Sequence, residues 1–336
     1  MRFIVYGAGA VGSTIGGHLF RTGHCDVVLV GNPDHVDKIK VLGLRLITAD
    51  EEFVLKVPAC KMASELAPFR DDDVVLLTAK SQHTLKCLGQ LKNAGAPRTL
   101  PIFCCQNSLV NEPLATRVFD RVYGVMMVIS VIFLEPGIVI NSKTGRTVGF
   151  LEVGCYPSGL DDLAHAVSTA FCEAGFDGGV NCSVMMAKGA KTLSNLINAV
   201  EAITDNADGS SEFIGKAREE AMRIWRAAGI EWEPYEEFLR RVHKNRTGGK
   251  MPKGYERLGP RWSSWQSLFR GTGNIEAEEL NGDVVKLGRL LNLPAPYNEI
   301  LWKVAAEMAA KKEKPGKYTI HQLEEMFEKL AQKQVW

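Results

Sequence analysis

The sequence predicts an α/β protein in which an N-terminal Rossmann-type dinucleotide-binding domain precedes an all-α C-terminal domain. Three observations carry this. A short β-type run, Phe3 to Tyr6, leads directly into Gly7-x-Gly9-x-x-Gly12 and a helix-compatible segment. Further β-type runs, "DVVLVGN", "DDVVLLTAK" and "TLPIFCCQNS", alternate with helix-like stretches, the rhythm of a parallel sheet built from βαβ units. From about residue 181 the apolar spacing becomes helical, over 184–204, 212–228, 234–243, 275–292, 297–312 and 319–333.

A chain of 336 residues exceeds most single domains, so two are expected, 1–180 and 181–336, the second with an extra segment at about 205–260. Gly175, Gly178 and Gly179 mark the predicted boundary. Lys plus Arg total 40 against 39 Asp plus Glu. That balance gives no pull toward nucleic acid or an anionic membrane, and points to small-molecule partners. The eight cysteines show neither C-x-x-C pairs nor the His spacing of a zinc site. They read as reduced packing thiols in a cytoplasmic protein with no metal, and Cys104 and Cys105 should face opposite sides of a strand. The N-terminal apolar stretch is interrupted by glycines, and no run approaches the ~18 apolar residues of a membrane span. A soluble, unexported protein is expected.

Each element has a reason in the sequence. In the loop Gly7-Ala8-Gly9-Ala10-Val11-Gly12, glycine permits a tight turn, close approach of a pyrophosphate and close helix–strand packing. The helix that follows offers free N–H groups and a positive dipole end. The alternative is a small-residue helix packed tightly on a strand. After the second strand, where an acidic residue would grip a ribose 2′-OH and an Arg would suit a 2′-phosphate, the chain has Gly31-Asn32. The position itself therefore does not choose between NADH and NADPH. Lys80, Gln82 and Asn107 fall at the carboxyl ends of the third and fourth strands, where an open parallel sheet binds its ligand; loop polarity and capping would explain them equally. "RVYGVMMVISVIF", "GIVI" and "RTVGFLEVG" suggest further strands in an antiparallel extension, before a helix near 160–174.

In "KTLSNLINA" Lys191, Asn195 and Asn198 share one helix face, with Ser194 beside them. A solvated stripe is one explanation. However, Asn and Ser are mediocre interior helix residues, and Glu, Lys, Arg or Gln would build such a stripe at less cost. Hydride transfer to a ketone needs a proton donor at the developing alkoxide and polar groups that fix the substrate. A lysine and two amides at the wall of an interdomain cleft would supply both. The stretch "KNRTGGKMPKGYERLGPRWSS" reads as a basic, solvated loop.

Several motifs in order resemble the ketopantoate reductase (2-dehydropantoate 2-reductase) family: "GAGAVGSTIGGHL", "TAKSQHT", "CQNSL", "KTLSNLINAVEA" and "SSWQSLFRGTGNIEAEELNG". The resemblance implies a helical second domain like the C-terminal domain of 6-phosphogluconate dehydrogenase. It also implies a cytoplasmic enzyme of pantothenate biosynthesis that reduces a 2-oxo acid, ketopantoate foremost, with NADPH ahead of NADH. By the same resemblance Gly7, Gly9 and Gly12 hold the pyrophosphate, with Ala8, Ala10, Val11 and Asn32 lining the cofactor. Lys80 and Gln82 lie near cofactor and substrate, and Asn107 serves both. Lys191 is implied as the general acid, Asn195, Asn198 and Ser264 as substrate ligands, and Glu276 as the carboxylate that positions lysine and substrate.

The chain departs from the family at Asn32, where many members have arginine, and at Ser108, where glycine is common. The extra residues at 205–260 and beyond 312 leave room for a reshaped substrate pocket or a homodimer. Two other functions fit the same architecture: an opine-type or 3-hydroxy acid dehydrogenase, and a non-catalytic NAD(P)-sensing protein.

Overall fold

The computed structural model describes residues 1–141, 147–205, 211–244, 251–256 and 261–333. It divides into two compact units, Met1–Lys188 with Pro234–Pro260, and Gly189–Glu233 with Arg261–Trp336.

The first unit begins with β1 (Arg2–Tyr6), α1 (Ala10–Thr22), β2 (Asp26–Val30), α2 (Pro33–Leu42), β3 (Leu44–Ile47), β4 (Glu52–Leu55) and β5 (Ala59–Cys60). It continues with β6 (Asp73–Leu77), α3 (Thr84–Asn93), β7 (Ile102–Cys104), α4 (Asn111–Thr116), β8 (Val122–Val128), β9 (Val131–Ile132), β10 (Ile138–Asn141), β11 (Phe150–Cys155), α5 (Asp162–Glu173) and β12 (Asp177–Val180). An eight-stranded sheet runs in the order β12-β11-β8-β7-β6-β1-β2-β5. Its strands are parallel except where β11 meets β8. The antiparallel extension expected after residue 121 therefore starts one strand later, because β8 still pairs parallel to β7.

β1 shows why this sheet is doubly covered. Phe3 and Val5 enter one hydrophobic core and Ile4 and Tyr6 the other, so each face of the strand is buried. Such a strand reads as a continuous apolar run, without the alternation of a half-exposed one. Cys104 and Cys105 divide between the same two cores. The sequence reading did not foresee a second sheet of four strands, β4-β3-β10-β9. Its core, Ile47, Ile132 and Ile140, is capped by Met251 and Tyr255.

The glycines read as a domain boundary have another purpose. Gly178 and Gly179 lie within β12, the edge strand. At Gly178, φ is +122° and a Cβ would collide with the backbone of Leu151 on β11, so the strand pairing itself demands glycine. The division falls instead after Lys188, inside α6 (Val184–Asn195).

The second unit takes the rest of α6, then α7 (Ile197–Thr204) and α8 (Ser211–Ala227). The predicted helix 184–204 is thus interrupted at Leu196. α9 (Tyr235–His243) returns to the first unit, so only the first part of the extra 205–260 segment is helical-unit material. The reason is local: the Arg241 guanidinium pairs with the buried Glu152 carboxylate and stacks over Phe150 and Phe238. The loop expected at 244–264 is described only at 251–256 and from 261; its remaining residues lie outside the described ones. α10 (Ser263–Phe269), which the sequence reading lacked, packs on α7. A π-helical turn (Glu278–Gly282) leads into α11 (Asp283–Leu290), followed by α12 (Pro296–Ala310) and α13 (Ile320–Lys333). No described helix is long and apolar enough to cross a membrane.

One buried histidine braces the nucleotide half. His35 of α2 accepts the Gly137 N–H on Nδ1 at 2.7 Å, so its ring proton sits on Nε2 and is donated to Ser13 Oγ of α1 at 2.9 Å. Burial pushes its pKa down to about 4. Between the ordinary value near 6.5 and that lowered one, the unfolded chain binds a proton the folded chain refuses, so stability falls as pH falls. This group alone should remove on the order of 3 kcal/mol across that window. Urea unfolding at a series of pH values checks it: His35→Phe should be less stable at pH 7 but show a shallower loss toward acid, and an unchanged slope would refute the assignment.

Candidate active site

The residues predicted for the site fall into two groups, one in each unit.

In the first unit the glycine loop follows directly from the crossing of three strand ends. Gly7 and Ala8 donate their N–H groups to Val30 O at the end of β2, and Thr78, just past β6, donates Oγ1–H to Gly7 O at 2.9 Å. Gly7 has φ +115°, and a Cβ there would overlap the Ala79 backbone; a Cβ on Gly12 would strike Gly7 O and Thr78 Oγ1. Both are glycine because the chain's own packing requires it. Gly9 differs: a Cβ there would meet nothing closer than Gly7 O at 3.9 Å. Space left open at the N-terminus of a helix with no side-chain cap and no acidic residue in its first turn fits the close approach of a phosphate. Ala10 and Val11 open that helix, α1, and are partly exposed.

Asn32 is the N-cap of α2, its Oδ1 accepting the Asp34 N–H at 3.0 Å. Of the nearby lysines, Lys40 faces Glu65 at 3.8 Å and Lys61 pairs with Asp37 at 2.7 Å.

Lys80, Gln82 and Asn107 sit on the loops after β6 and β7, as predicted, and these loops are tied by side chains the sequence reading missed. Ser81 Oγ donates to Asn107 O at 3.1 Å, and Asn111 Nδ2 donates both to Ser81 Oγ and to Asn107 O. Thr84 Oγ1 donates to Asn111 Oδ1 at 2.7 Å and accepts from Gln106 Nε2 at 2.7 Å. All four side chains are buried. Of these atoms Gln106 Oε1 alone lacks a partner among the described residues. Buried hydrogen bonds of this kind fix loop geometry more firmly than the same bonds would in water. Ser108 adopts φ +75°, the conformation a glycine would take most easily, so the turn keeps a glycine-like backbone without glycine.

Beneath these loops lies a buried ion pair. The Lys188 ammonium donates to a Glu112 carboxylate oxygen and to Cys104 O at 3.0 Å, at the end of β7. Burial pushes the Glu112 carboxyl up and Lys188 opposes the shift. Burial also holds the Cys104 thiol well above its ordinary range and Cys105 up to about 12, so both remain thiols. The polar pair Asn111-Glu112 within the otherwise apolar "LVNEPL" was the available sequence signal.

In the second unit Lys191 Nζ donates to Asn195 Oδ1 at 2.6 Å, one helical turn on, and lies 5.7 Å from the centre of the Trp262 ring. Asn195 and Asn198 are each 2% exposed and Ser264 1%, so the stripe is not a solvated face. Among the described residues Asn195 Nδ2, Asn198 Oδ1 and Ser264 Oγ have no hydrogen-bond partner. Three buried polar atoms left without partners are costly unless a ligand answers them. Trp262 N donates to Glu201 Oε2 of α7 at 3.0 Å, which seats the N-terminus of α10 and hence Ser264. Glu276 is buried just before the π turn, among carboxylates of which Glu278 and Asp283 face Lys286. Burial, with Glu278, Glu276 and Asp283 adding, pushes Glu279 up to about 7.

A glycine loop at the centre of a doubly wound sheet, followed by a helical unit with buried polar side chains around a lysine, defines a dinucleotide-binding α/β protein of dehydrogenase type. Residues 3–153 match the family model of ketopantoate reductase PanE/ApbA, and residues 184–309 match that of its C-terminal part. The chain belongs to the ketopantoate reductase family. The 2-dehydropantoate 2-reductase of Pyrococcus horikoshii is 27% identical over 90% of this chain and 95% of its own, and that of Halobacterium salinarum 27% over 88% and 95%. The crystal structure of a PanE/ApbA family ketopantoate reductase from Ralstonia eutropha superposes with a TM-score of 0.75 at 26% identity, covering 93% of this chain and 99% of that one. D-mandelate dehydrogenase with NADH and anilino(oxo)acetate shares the fold, with a TM-score of 0.79 at 20% identity over 93% and 99% of the two chains.

The buried pair yields a stability prediction. Glu112→Leu leaves Lys188 without its counter-charge and should cost about 3–5 kcal/mol, whereas the double change with Lys188→Met should recover most of that loss. Denaturant unfolding of the three proteins is the measurement, and a double variant no better than the single one would contradict it.

Proposed function

We propose that this chain reduces a 2-oxo acid to a 2-hydroxy acid with a nicotinamide dinucleotide, NADPH ahead of NADH, and that 2-dehydropantoate is the leading substrate. The observation that carries the reading is the set of unanswered buried atoms, Asn195 Nδ2, Asn198 Oδ1 and Ser264 Oγ, accompanying the Lys191 ammonium. A 2-oxo acid offers carboxylate and carbonyl oxygens that accept from amide and hydroxyl donors, and the hydroxyl of 2-dehydropantoate can donate to the remaining amide oxygen.

A nicotinamide bound through the glycine loop supplies the hydride to the carbonyl carbon. The chain's own residues do the rest. Gly9 leaves room for the pyrophosphate, and the first-turn N–H groups of α1 bind it. Lys80, Gln82 and Asn107 hold the cofactor and substrate from the strand ends. Asn195 and Ser264 orient the acid, and Lys191 gives a proton to the oxygen that becomes the alkoxide. Asn195 accepts a hydrogen bond from that ammonium and so aims it; Glu276, buried in the same unit, is the carboxylate that positions lysine and substrate. The order of the two cofactors rests on the family likeness, since Asn32 offers neither a carboxylate for a ribose 2′-OH nor a guanidinium for a 2′-phosphate. The reaction is expected in the cytoplasm, by a monomer or homodimer.

Initial rates with NADPH and NADH against 2-dehydropantoate and a panel of 2-oxo acids test the proposal. Lys191→Ala should lower kcat on the order of 10²–10⁴-fold while leaving dinucleotide affinity, read by fluorescence, essentially unchanged. Tight dinucleotide binding with no turnover of any 2-oxo acid would replace the enzyme by a sensing protein.

A further inference from the structure

Trp262 is 38% exposed, unusual for the largest apolar side chain, and its ring centre stands 5.7 Å from the Lys191 ammonium. Its backbone is fixed by the bond to Glu201, and two residues on is Ser264 with its buried, unpartnered hydroxyl. The neighbouring Arg261 is turned elsewhere, toward Asp205 at 2.9 Å and over the Trp265 ring. A partly exposed indole therefore stands beside the ammonium proposed to protonate substrate.

Resting on the function proposed above, we propose that Trp262 is a specificity-determining residue, whose ring receives a bulky apolar substituent, branched or aryl, at the carbonyl carbon of the 2-oxo acid. The geometry follows from the proton transfer. A carbonyl oxygen in hydrogen-bond reach of Nζ lies about 2.6–3.2 Å away. The carbonyl carbon is roughly 1.2 Å further on, which brings its substituent to about 4–5 Å from Nζ. A ring centred 5.7 Å from the same nitrogen comes within van der Waals reach of that substituent when the substituent is directed to the ring's side of Nζ. Packing an alkyl or aryl group there removes apolar surface of both partners from water, whereas a methyl group as in pyruvate gains little. The polar atoms recognise the acid common to all such substrates; the indole distinguishes among them.

The test compares kcat/KM for pyruvate, 3-methyl-2-oxobutanoate, phenylglyoxylate and 2-dehydropantoate in the wild type, Trp262→Phe and Trp262→Gln. Trp262→Gln should lose more than about tenfold in kcat/KM on the three bulky acids, mainly through KM, and less than about threefold on pyruvate. Trp262→Phe should keep the order of preference, which shows that the backbone seat survives substitution. An equal loss on all four acids, with a displaced pH profile of kcat, would mean that the ring serves only Lys191, and would overturn the proposal. Wild-type turnover with no dependence on the substituent would overturn it too, while leaving the reductase reading intact. Absence of wild-type turnover with every acid would instead defeat the reading on which it rests.

Discussion

At Gly7 the backbone runs so close to the segment after β6 that no side chain can stand between them. That contact sets the register of the carboxyl edge of the large sheet. Because Val30 O binds the N–H groups of Gly7 and Ala8, and Thr78 closes on Gly7 O, the ends of β1, β2 and β6 meet at one point. α1 starts from that point with its N–H groups open. The loops that carry Lys80 and Asn107 leave the sheet from the same edge, and their positions are meaningful only because the edge is fixed.

The chain invests its buried polarity where the loops must be accurate. Apart from Gln106 Oε1, the side-chain polar atoms of Ser81, Thr84, Gln106 and Asn111 bond to one another and to Asn107 O. The second unit does the reverse. Asn195, Asn198 and Ser264 keep one polar atom each in reserve. In the loop network Gln106 Oε1 alone lacks a partner among the described residues, whereas in the second unit each member of the set has an open atom.

Much of this was legible in the sequence, for physical reasons. Phe3-Ile4-Val5-Tyr6 is apolar at every position because both faces of β1 are covered, and Gly7 and Gly12 are glycine because nothing else fits. The polar stripe of Lys191, Asn195 and Asn198 stood out because its residues were poor choices for a wet helix face. What was hidden depended on distant partners. Ser81 and Asn111 are common loop and cap residues until they are seen bonded to each other across 30 positions. Residues 234–243 look like any amphipathic helix, and only Glu152 and the rings of Phe150 and Phe238 reveal that α9 belongs with the sheet. α10 is too short to announce itself by periodicity. The glycines at 178 and 179 misled because a residue that permits a linker also permits the closest strand pairing.

The π turn at Glu278–Gly282 changes how the helix that follows should be numbered. Gly282 N bonds to Ala277 O, five residues back, whereas Leu280 N bonds to Glu276 O, four back. One residue more than an α-helix needs is thus held inside the coil, and every side chain beyond it is rotated by about 100° relative to an unbroken wheel. Glu276 and Asn281, which a plain helix would point well apart, are brought toward one side. A comparison that aligns this stretch without a gap is therefore comparing different faces on the two sides of Gly282, and an insertion or deletion here would act as a change of angle rather than of length.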